Sequence, residues 1–452
     1  MKKVHIGIDI GTTNITLLAY ELGQMSVPPC TSLPNKRLIT DEFYAYAQSP
    51  ESIEQAVRSL LSGVGKPIAS IAVTGQVHGI LYYDQSGVAV SPLYTWLDQR
   101  AMQLVDGISS QDLLYEQTGV LMPAGYGLLT HFANLRMGRV PLQAVGFCGI
   151  LEYITSRLVG FPLTKSDPSC LGPLGAFDPI SLEFDPLVLD TVLKEDSGSF
   201  FQAAPPFSIA GYTPAKVPVA FPVGDNQAGF FGMVGDWQRS ALVNLGTSGQ
   251  ISLCNEMKQG PSSMELRPFL ELGYLHVGAT LTAGKAYETI EKFLLSACKL
   301  AGLEIEDEQV FECMKKATLQ ANRDNPLIFD TRFSGSRKDP SVRGSIQNIG
   351  LDNFTVGNFV LGAIDGIVKE LHDFSRDAKE GFSAIETIVA TGSSVRKNEL
   401  FLHALARHFN MPVHVAHIDD GAGFGVALIG AVAAGFLTVK ESRMIVRELL
   451  RT

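Results

Sequence analysis

The sequence predicts an α/β protein built from two copies of one domain. Three short motifs of the first half return, in the same order, in the second half. Each motif joins an apolar strand to a Gly-containing turn or to a helix, and alternating strands and helices are typical of α/β folds. Three repeats in one order therefore indicate an internal duplication.

The first motif is a strand, a polar turn and a second strand. Residues 4–20 have this form, with the turn Asp-x-Gly-Thr-Thr, and residues 241–253 repeat it. The matched positions are Asp9 with Asn244, Gly11 with Gly246, Thr12 with Thr247, and Thr13 with Ser248. Only the first copy keeps a carboxylate before its turn.

The second motif is a helix followed by a strand. Residues 52–64 have helical periodicity and lead into the strand 71–76, and residues 359–379 lead in the same way into 388–393. Because α/β sheets present their ligand contacts at the carboxyl ends of strands, the loops after both strands are candidate binding loops.

The third motif, at residues 218–230 and 412–424, is an apolar strand that ends in Asp, with Ala-Gly-Phe opening a Gly/Ala-rich helix. We therefore predict an N-terminal domain over 1–235 and a C-terminal domain over 236–452, flanking a central cleft. The first domain carries a long inserted segment at about 79–215. The two halves have thus specialised, one for the acceptor substrate and the other for a nucleotide.

Composition narrows the class of protein. The 452 residues carry a net charge of −10 without a basic run, which argues against nucleic-acid binding. The six cysteines lack CxxC spacing, so a disulfide scaffold and a zinc site are not expected. We see neither a signal peptide nor an apolar stretch long enough to cross a bilayer, and we expect a cytoplasmic protein. Whether it forms a homodimer is left open.

The two Gly-Thr turns are candidate phosphate-binding sites. Glycine lets the backbone approach phosphate oxygens, and successive N–H groups and hydroxyls form an anion site. One such turn alone is equally a β-hairpin. Two turns at matched places in duplicated domains predict that both contact one polyphosphate.

Two carboxylates are candidate catalytic groups. Asp9 lies on an apolar strand and needs a cation or hydrogen-bond donors there, so it is suited to Mg²⁺, held directly or through waters; the alternative is that it caps its own turn. Asp225, followed by Asn226 at the start of a helix, is our candidate general base and second metal-site carboxylate, with an ordinary helix cap as the alternative.

Candidate sugar contacts follow the strand 71–74. Gln76 and His78 could hydrogen-bond sugar hydroxyls, although a loop histidine bonded within the protein is the plainer interpretation. Residues 96–100 combine the aromatic face of Trp96, the carboxylate of Asp98 and the cation of Arg100, which suits a carbohydrate and equally suits a surface helix start with an Asp–Arg pair.

The loop 391–398 is the second-half partner of the Gln76 loop. The duplication places it on the nucleotide side, where Gly392 and Ser393 offer backbone contacts and Asn398 an amide for adenine or ribose. The turn 279–285 is indeterminate by itself.

Together these motifs resemble the FGGY carbohydrate kinases, in order and over essentially the whole chain. They are Gly-Ile-Asp-Ile-Gly-Thr-Thr (7–13), Thr-Gly-Gln-Val-His-Gly (74–79), Trp-Leu-Asp-Gln-Arg (96–100), Val-Gly-Asp-Asn-Gln-Ala-Gly (223–229), Asn-Leu-Gly-Thr-Ser-Gly (244–249), Phe-Ser-Gly-Ser-Arg (333–337) and the loop 391–398. The resemblance implies two ribonuclease H-like domains of the actin-like ATPase superfamily, which bind ATP, Mg²⁺ and a sugar.

The resemblance also implies a role for each matched residue. Asp225 is the base, with Asp9 the metal-site and supporting acid. The phosphate residues are Gly11, Thr12, Thr13, Gly246, Thr247 and Ser248; the sugar residues are Gln76, Val77, His78 and Asp98, to which we add Trp96 and Asn226; the nucleotide residues are Gly284, Gly392, Ser393 and Asn398.

Within the family, the loop 76–78 resembles that of members that phosphorylate xylulose or sedoheptulose, with Val77 in place of Met. The Lys and Trp typical of xylulose kinases near 127–135 are absent, and Thr130-His131 stand there. Residues 124–127 and 165–172 are more similar to the sedoheptulose kinases. We therefore prefer sedoheptulose, phosphorylated at its terminal hydroxyl, with xylulose as the alternative.

Two other classes share part of the pattern. A chaperone- or actin-like ATPase would have the Gly-Thr turns but no need of residues 76–78 or 96–98. A catalytically inactive sugar sensor would have no use for Asp225.

Overall fold

The computed structural model describes residues 2–193, 200–336, 339 and 341–450. The chain forms two units: unit 1 comprises Met1–Gly235, Arg267–Gly273 and Ile418–Thr452, and unit 2 comprises Asp236–Leu266 and Tyr274–His417. The predicted division after residue 235 does not anticipate that the C-terminal segment returns to unit 1.

Residues up to 235 contain the first strands and helices. The strands are β1 (Val4–Ile10), β2 (Asn14–Tyr20), β3 (Thr31–Pro34), β4 (Ala47–Gln48), β5 (Ile68–Gly75), β6 (Gly79–Tyr83), β7 (Leu93–Thr95), β8 (Leu104–Val105), β9 (Ile108–Ser109), β10 (Gly146–Cys148), β11 (Lys165–Ser166), β12 (Phe177–Asp178), β13 (Glu183–Phe184), β14 (Gln202–Ala203), β15 (Ile209–Tyr212) and β16 (Pro218–Ala220). The helices are α1 (Pro50–Ser62), α2 (Ser110–Thr118), α3 (Gly127–Arg136), α4 (Ile150–Val159), α5 (Pro168–Leu171), α6 (Pro186–Leu193) and α7 (Asp225–Met233).

The remaining elements follow residue 235. The strands are β17 (Ser240–Leu245), β18 (Gly249–Asn255), β19 (Glu265–Pro268), β20 (Tyr274–Ala279), β21 (Ile328–Asp330), β22 (Ser345–Gln347), β23 (Thr387–Thr391) and β24 (Val413–Val415). The helices are α8 (Gly284–Leu300), α9 (Asp307–Ala317), α10 (Val356–Asp377), α11 (Lys379–Phe382), α12 (Ser393–Lys397), α13 (Leu400–Phe409), α14 (Gly421–Ala433) and α15 (Val439–Leu449).

The main sheets of the two units have the same topology. In unit 1, β1 pairs antiparallel with β2 and parallel with β5, which pairs parallel with β16. In unit 2, β17 pairs antiparallel with β18 and parallel with β23, which pairs parallel with β24. The predicted duplication is therefore present in the sheets, and the predicted α/β class with two ribonuclease H-like domains is confirmed.

Local sequence explains why these elements form. β1 is buried on both faces, as expected for a strand covered on both sides: Val4, Ile6, Ile8 and Ile10 lie on one face, and His5, Gly7 and Asp9 lie on the other. Asp9 is the one residue of β1 that is not fully buried. α1 begins with Ser49, whose side chain accepts the N–H of Ser52, and with Pro50 in its first turn. α15 begins with a capping box between Thr438 and Glu441.

Small residues let α14 lie directly on unit 1. A Cβ on Gly7 of β1 would come within 1.8 Å of the Gly423 carbonyl oxygen, and one on Gly425 within 1.8 Å of the Ala228 carbonyl oxygen. Backbone-to-backbone packing of this kind is possible only for glycine. It brings the beginning of α14 to the sheet edge where β1 ends.

Within the described ranges, none of the helices has the length and apolar character that a membrane span requires.

Candidate active site

The unit 1 site forms at the carboxyl ends of β1, β5 and β16. Parallel pairing aligns these ends: Ile10 lies beside Gly75, and the Val223 N–H donates to the Val73 carbonyl at 3.1 Å. The turn after β1, the loop after β5 and the start of α7 therefore reach one edge of the sheet.

The turn Gly11–Thr13 is held by side chains from neighbouring segments. Asn35 donates from its amide to the Gly11 carbonyl at 2.8 Å, and Gln48 donates to the Thr12 carbonyl at 2.8 Å. The carbonyls of the turn therefore point towards the protein. The other side of the turn faces solvent, with Thr13 exposed and Gly11 and Thr12 partly exposed.

The predicted phosphate turn contacts predicted sugar residues directly. The Trp96 indole N–H donates to the Thr12 hydroxyl at 3.0 Å, and that hydroxyl donates to the side-chain amide oxygen of Gln76 at 3.4 Å. Trp96 is 45% exposed, so a large part of the ring is available to a ligand. Trp96, Thr12 and Gln76 are thus joined by hydrogen bonds that run from the exposed indole to the buried Gln76, whose amide also donates to Gln48 at 2.7 Å.

Val77 and His78 follow Gln76 in the same loop. The His78 ring lies 4.7 Å from that of Tyr126, in the loop before α3. A Cβ on Gly224 would lie 3.3 Å from the Val77 side chain, so Val77 packs beside the residue that precedes Asp225.

Asp98 lies in a buried ion pair. Its carboxylate accepts Arg100 Nε at 2.7 Å, Arg100 Nη2 at 3.0 Å and the Tyr46 N–H at 3.0 Å, and Arg100 also donates to Asn134. The Asp98 side chain is 0% exposed. These hydrogen bonds to Arg100 and Tyr46 hold the turn that carries Trp96.

Asp225 is the first residue of α7 and does not cap it. The cap is Gly224, without a side-chain hydrogen bond, and the one hydrogen bond that the Asp225 carboxylate accepts from the described residues comes from the neighbouring N–H of Asn226, at 2.7 Å. Desolvation raises the pKa of Asp225, while the positive charge of Arg267 lowers it. The side chain is nevertheless exposed, so it is crowded by protein but open to a small molecule.

Asp9 is electrostatically linked to two other carboxylates. Its pKa is raised well above the ordinary value, first by desolvation and then by the charges of Asp420 and Asp225. Asp420 caps α14, where it accepts the Gly423 N–H at 2.6 Å and the Thr16 hydroxyl. Sequence reasoning missed Asp420 as a site residue; the strand ending in Asp was its only signal.

These carboxylates fit Mg²⁺ in donor type. Mg²⁺ prefers oxygen ligands and keeps several waters, and a cation would relieve the repulsion that acts on Asp9. Across the residues that the structure describes, no three His, Cys, Asp or Glu side chains are placed to hold a metal by themselves. The site therefore suits an ion that also takes waters and phosphate oxygens as ligands.

Thr130 and His131, which stand near the positions of the Lys and Trp typical of xylulose kinases, lie inside the protein. Thr130 is 1% exposed and His131 9% exposed on α3. His131 Nδ1 lies 2.8 Å from the Tyr82 hydroxyl, and its ring stacks on Phe147. These residues therefore act on a ligand only through packing.

In unit 2, the turn Gly246–Ser248 is joined to the start of α8. The Gly284 N–H donates to the Gly246 carbonyl at 3.0 Å, and the Lys285 N–H to the Thr247 carbonyl at 3.1 Å. A helix N-terminus favours anions, so the turn and the helix start together suit phosphate.

Matched glycines lie where two parallel strands end: Gly75 is the last residue of β5, and Gly392 directly follows β23. Gly75 has φ +139°, and a Cβ there would lie 2.3 Å from the Ile10 carbonyl oxygen. Gly392 has φ +102°, and a Cβ there would lie 2.4 Å from the Leu245 carbonyl oxygen. Both duplicated loops therefore depend on glycine to leave the sheet beside the Gly-Thr turn.

A cavity of about 640 Å³ in unit 2 brings together predicted nucleotide and phosphate residues. Those that line it are Gly246, Thr247, Gly284, Ser393 and Asn398; Ser248 and Gly392 do not. We call it the nucleotide cavity. Asn398 is 1% exposed and donates to the Tyr287 hydroxyl at 3.3 Å.

Sequence reasoning missed the aromatic wall of this cavity. Tyr287, Phe311 and Phe401 line it, with the Tyr287 ring 6.1 Å from Phe311 and 5.7 Å from Phe401. Flat apolar rings are suited to a nucleobase. In the family motif at 333–337, Arg337 lies outside the described residues.

Family models match both halves. The N-terminal domain model of the FGGY family of carbohydrate kinases matches residues 4–232, and the C-terminal domain model matches residues 241–434.

Individual proteins show the same similarity. The chain is 25% identical to a sedoheptulokinase of Mus musculus, over 95% of this chain and 97% of the relative. It is 23% identical to a xylulose kinase of Staphylococcus epidermidis, over 98% and 90%. Among solved structures, gluconate kinase from Lactobacillus acidophilus superposes with a TM-score of 0.82 at 19% identity, over 98% of this chain and 92% of that chain.

Proposed function

Because this chain belongs to the FGGY family of carbohydrate kinases, and so is an ATP-dependent sugar kinase, we propose that its acceptor is a ketose and that the preferred ketose is sedoheptulose. The product is sedoheptulose 7-phosphate. We also propose that it acts in the cytoplasm, where ATP is available.

Asp225 carries the chemistry in this proposal. An alcohol is a poor nucleophile at neutral pH, so a carboxylate must accept its proton as it attacks the γ-phosphate. The observation that supports this role is that Asp225 opens α7 with an exposed carboxylate that does not cap the helix.

The nucleotide occupies the nucleotide cavity. The adenine base of ATP lies against the aromatic wall. Gly246, Thr247 and the start of α8 face the phosphates. In unit 1, the turn Gly11–Thr13 offers N–H groups and hydroxyls of the kind that bind phosphate oxygens.

Mg²⁺ neutralises phosphate charge when bound, and Asp9 with Asp225 would hold it through waters. The charge of Asp420 raises the pKa of Asp9 and adds to the negative potential that would attract the cation.

The ketose lies against Gln76, His78 and Trp96. Asn226 lies beside the general base, Asp225. Sedoheptulose is preferred over xylulose for two reasons: the loops 124–127 and 165–172 resemble sedoheptulose kinases, and a relative with that name matches nearly the whole chain. Both loops lie at this site, since Tyr126 contacts His78 and Ser169 bonds Gly224.

A coupled ADP-release assay tests the assignment. The panel is sedoheptulose, xylulose, ribulose, fuculose, rhamnulose and glycerol, each with MgATP. We expect the highest kcat/KM for sedoheptulose. A higher kcat/KM for xylulose would correct the substrate, and peptide-stimulated ATP hydrolysis without a response to any sugar would instead favour a chaperone-like ATPase.

A further inference from the structure

Unit 2 contains a second cavity, of about 360 Å³, that shares no lining residue with the nucleotide cavity. It lies between the end of β21, with the residues that follow it, and the second half of α10. We call it the acidic cavity, because the described residues that line it include four carboxylates, Asp330, Glu370, Asp373 and Asp377, and two cations, Arg332 and Lys369.

Both cations of the acidic cavity are already paired. Arg332 binds Asp330 through two nitrogens, with Nη2 at 2.5 Å and Nε at 2.9 Å from the carboxylate oxygens. Lys369 donates to Asp373 at 2.5 Å. Among the described residues that line the cavity, these two ion pairs use Asp330 and Asp373, and the carboxyl groups of Glu370 and Asp377 lie outside them.

Three polar groups that line the acidic cavity lack hydrogen bonds. Thr331 Oγ1, Ser263 Oγ and Glu370 Oε2 are shielded from solvent and have no hydrogen-bond partner in the part of the chain that the structure describes. Thr331 is 1% exposed. A buried polar group left without a partner costs roughly 1–3 kcal/mol, so three at one cavity are groups that a polar ligand could satisfy.

The chemistry of these groups selects the ligand. Hydroxyl and carboxylate oxygens can accept hydrogen bonds, and an ammonium group has three donors and no acceptor. Phe329 and Phe374 also line the cavity, and aromatic faces attract organic cations. Burial raises the pKa of Glu370 to about 7, and a cation beside it would favour the ionised form.

We propose that the acidic cavity is a second ligand site, for a small organic ammonium compound with a compact apolar body. A bare divalent metal is not favoured, because none of the His, Cys, Asp and Glu groups among the described residues forms a metal site.

Isothermal titration calorimetry of the full chain, without sugar or ATP, tests the proposal. The probe is phenethylamine at pH 7.5 and constant ionic strength, with 2-phenylethanol as the neutral match. We expect one saturable site for the amine, binding of the alcohol at least tenfold weaker, and no displacement of the amine by ATP.

Matched variants locate the site. Glu370→Gln and Thr331→Val keep the shape of the side chain. Glu370→Gln should weaken amine binding at least tenfold, and Thr331→Val should weaken it severalfold. Melting curves check that both variants remain folded. Glu288→Gln, at the nucleotide cavity, should leave amine affinity unchanged. The proposal is overturned by equal binding of the alcohol, by unchanged affinity in folded Glu370→Gln, or by no saturable binding of the amine.

Discussion

The Ser169 hydroxyl accepts a hydrogen bond from the backbone N–H of Gly224 at 2.8 Å and donates one to the Asp167 carboxylate at 2.5 Å. All three residues are buried. The residue that precedes the proposed base is therefore fixed to the short helix α5, more than 50 positions earlier in the chain. Burial raises the pKa of Asp167 to about 6, partly offset by its bonds from Ser169.

Removal of this hydroxyl should affect catalysis more than sugar binding. In Ser169→Ala the Gly224 N–H loses its partner, which costs about 1–3 kcal/mol of unfolding free energy. We expect kcat to fall severalfold with KM nearly unchanged, because Asp225 is displaced while the proposed sugar contacts stay in place. Steady-state kinetics and urea unfolding measure both effects. Ser62→Ala, at an exposed helix end, is the control and should change neither; unaltered kcat in Ser169→Ala would contradict the positioning role.

Trp96 should report sugar binding by fluorescence. The chain has two tryptophans, Trp96, which is 45% exposed, and Trp237, which is 4% exposed. We expect sedoheptulose to change the emission of Trp237→Phe as it does that of the wild type. Trp96→Phe should lose the change and raise the ketose KM, because the bond to Thr12 is lost. A sugar-dependent signal that persists in Trp96→Phe would place the sugar elsewhere.

The nucleotide cavity should not tolerate a methyl group at Gly284. A Cβ there would lie 2.5 Å from the Gly246 carbonyl oxygen and 2.7 Å from the Ser394 hydroxyl. We expect Gly284→Ala to raise the ATP KM about tenfold or more and to leave the sugar KM unchanged. Gly65→Ala is the matched control, since nothing lies within 4 Å of its added Cβ. An unchanged ATP KM in Gly284→Ala would show that ATP does not bind in this cavity.

His131 should make stability depend on pH. Burial lowers the pKa of His131 from 6.5 to about 4. Between these values the unfolded chain binds a proton that the folded protein excludes. Its contribution to stability is therefore complete above pH 6.5 and is lost as pH falls towards 4, at up to about 1.4 kcal/mol per pH unit. His131→Gln should flatten this part of a urea-unfolding pH series. An unchanged slope would show that His131 is not the group responsible.

The sequence predicts the frame of the site better than its contacts. Apolar periodicity and repeated turns are local signals, so the strands around Asp9 and the start of α7 at Asp225 are as predicted. Asp420 and Ser169 were not predicted, because each reaches the site only through packing of segments distant in sequence. A local pattern carries no information about such distances.

Asp98 shows a second limit of prediction from sequence. The pattern Trp-x-Asp-x-Arg allowed both a sugar contact and an ion pair. Burial of Arg100 beside Asp98 is a tertiary property, and it occupies the carboxylate with protein donors. The direct sugar contact of Asp98 stays a prediction.

The most direct test of the account is the turnover of Asp225→Asn with sedoheptulose and MgATP, beside Asp190→Asn as an exposed control. General-base catalysis contributes about 10²–10⁴-fold, so kcat should fall by that factor while ATP and sugar still bind with nearly wild-type affinity. Asp190→Asn should retain full turnover. A kcat for Asp225→Asn within a few fold of the wild type would contradict the assignment of Asp225 as the base.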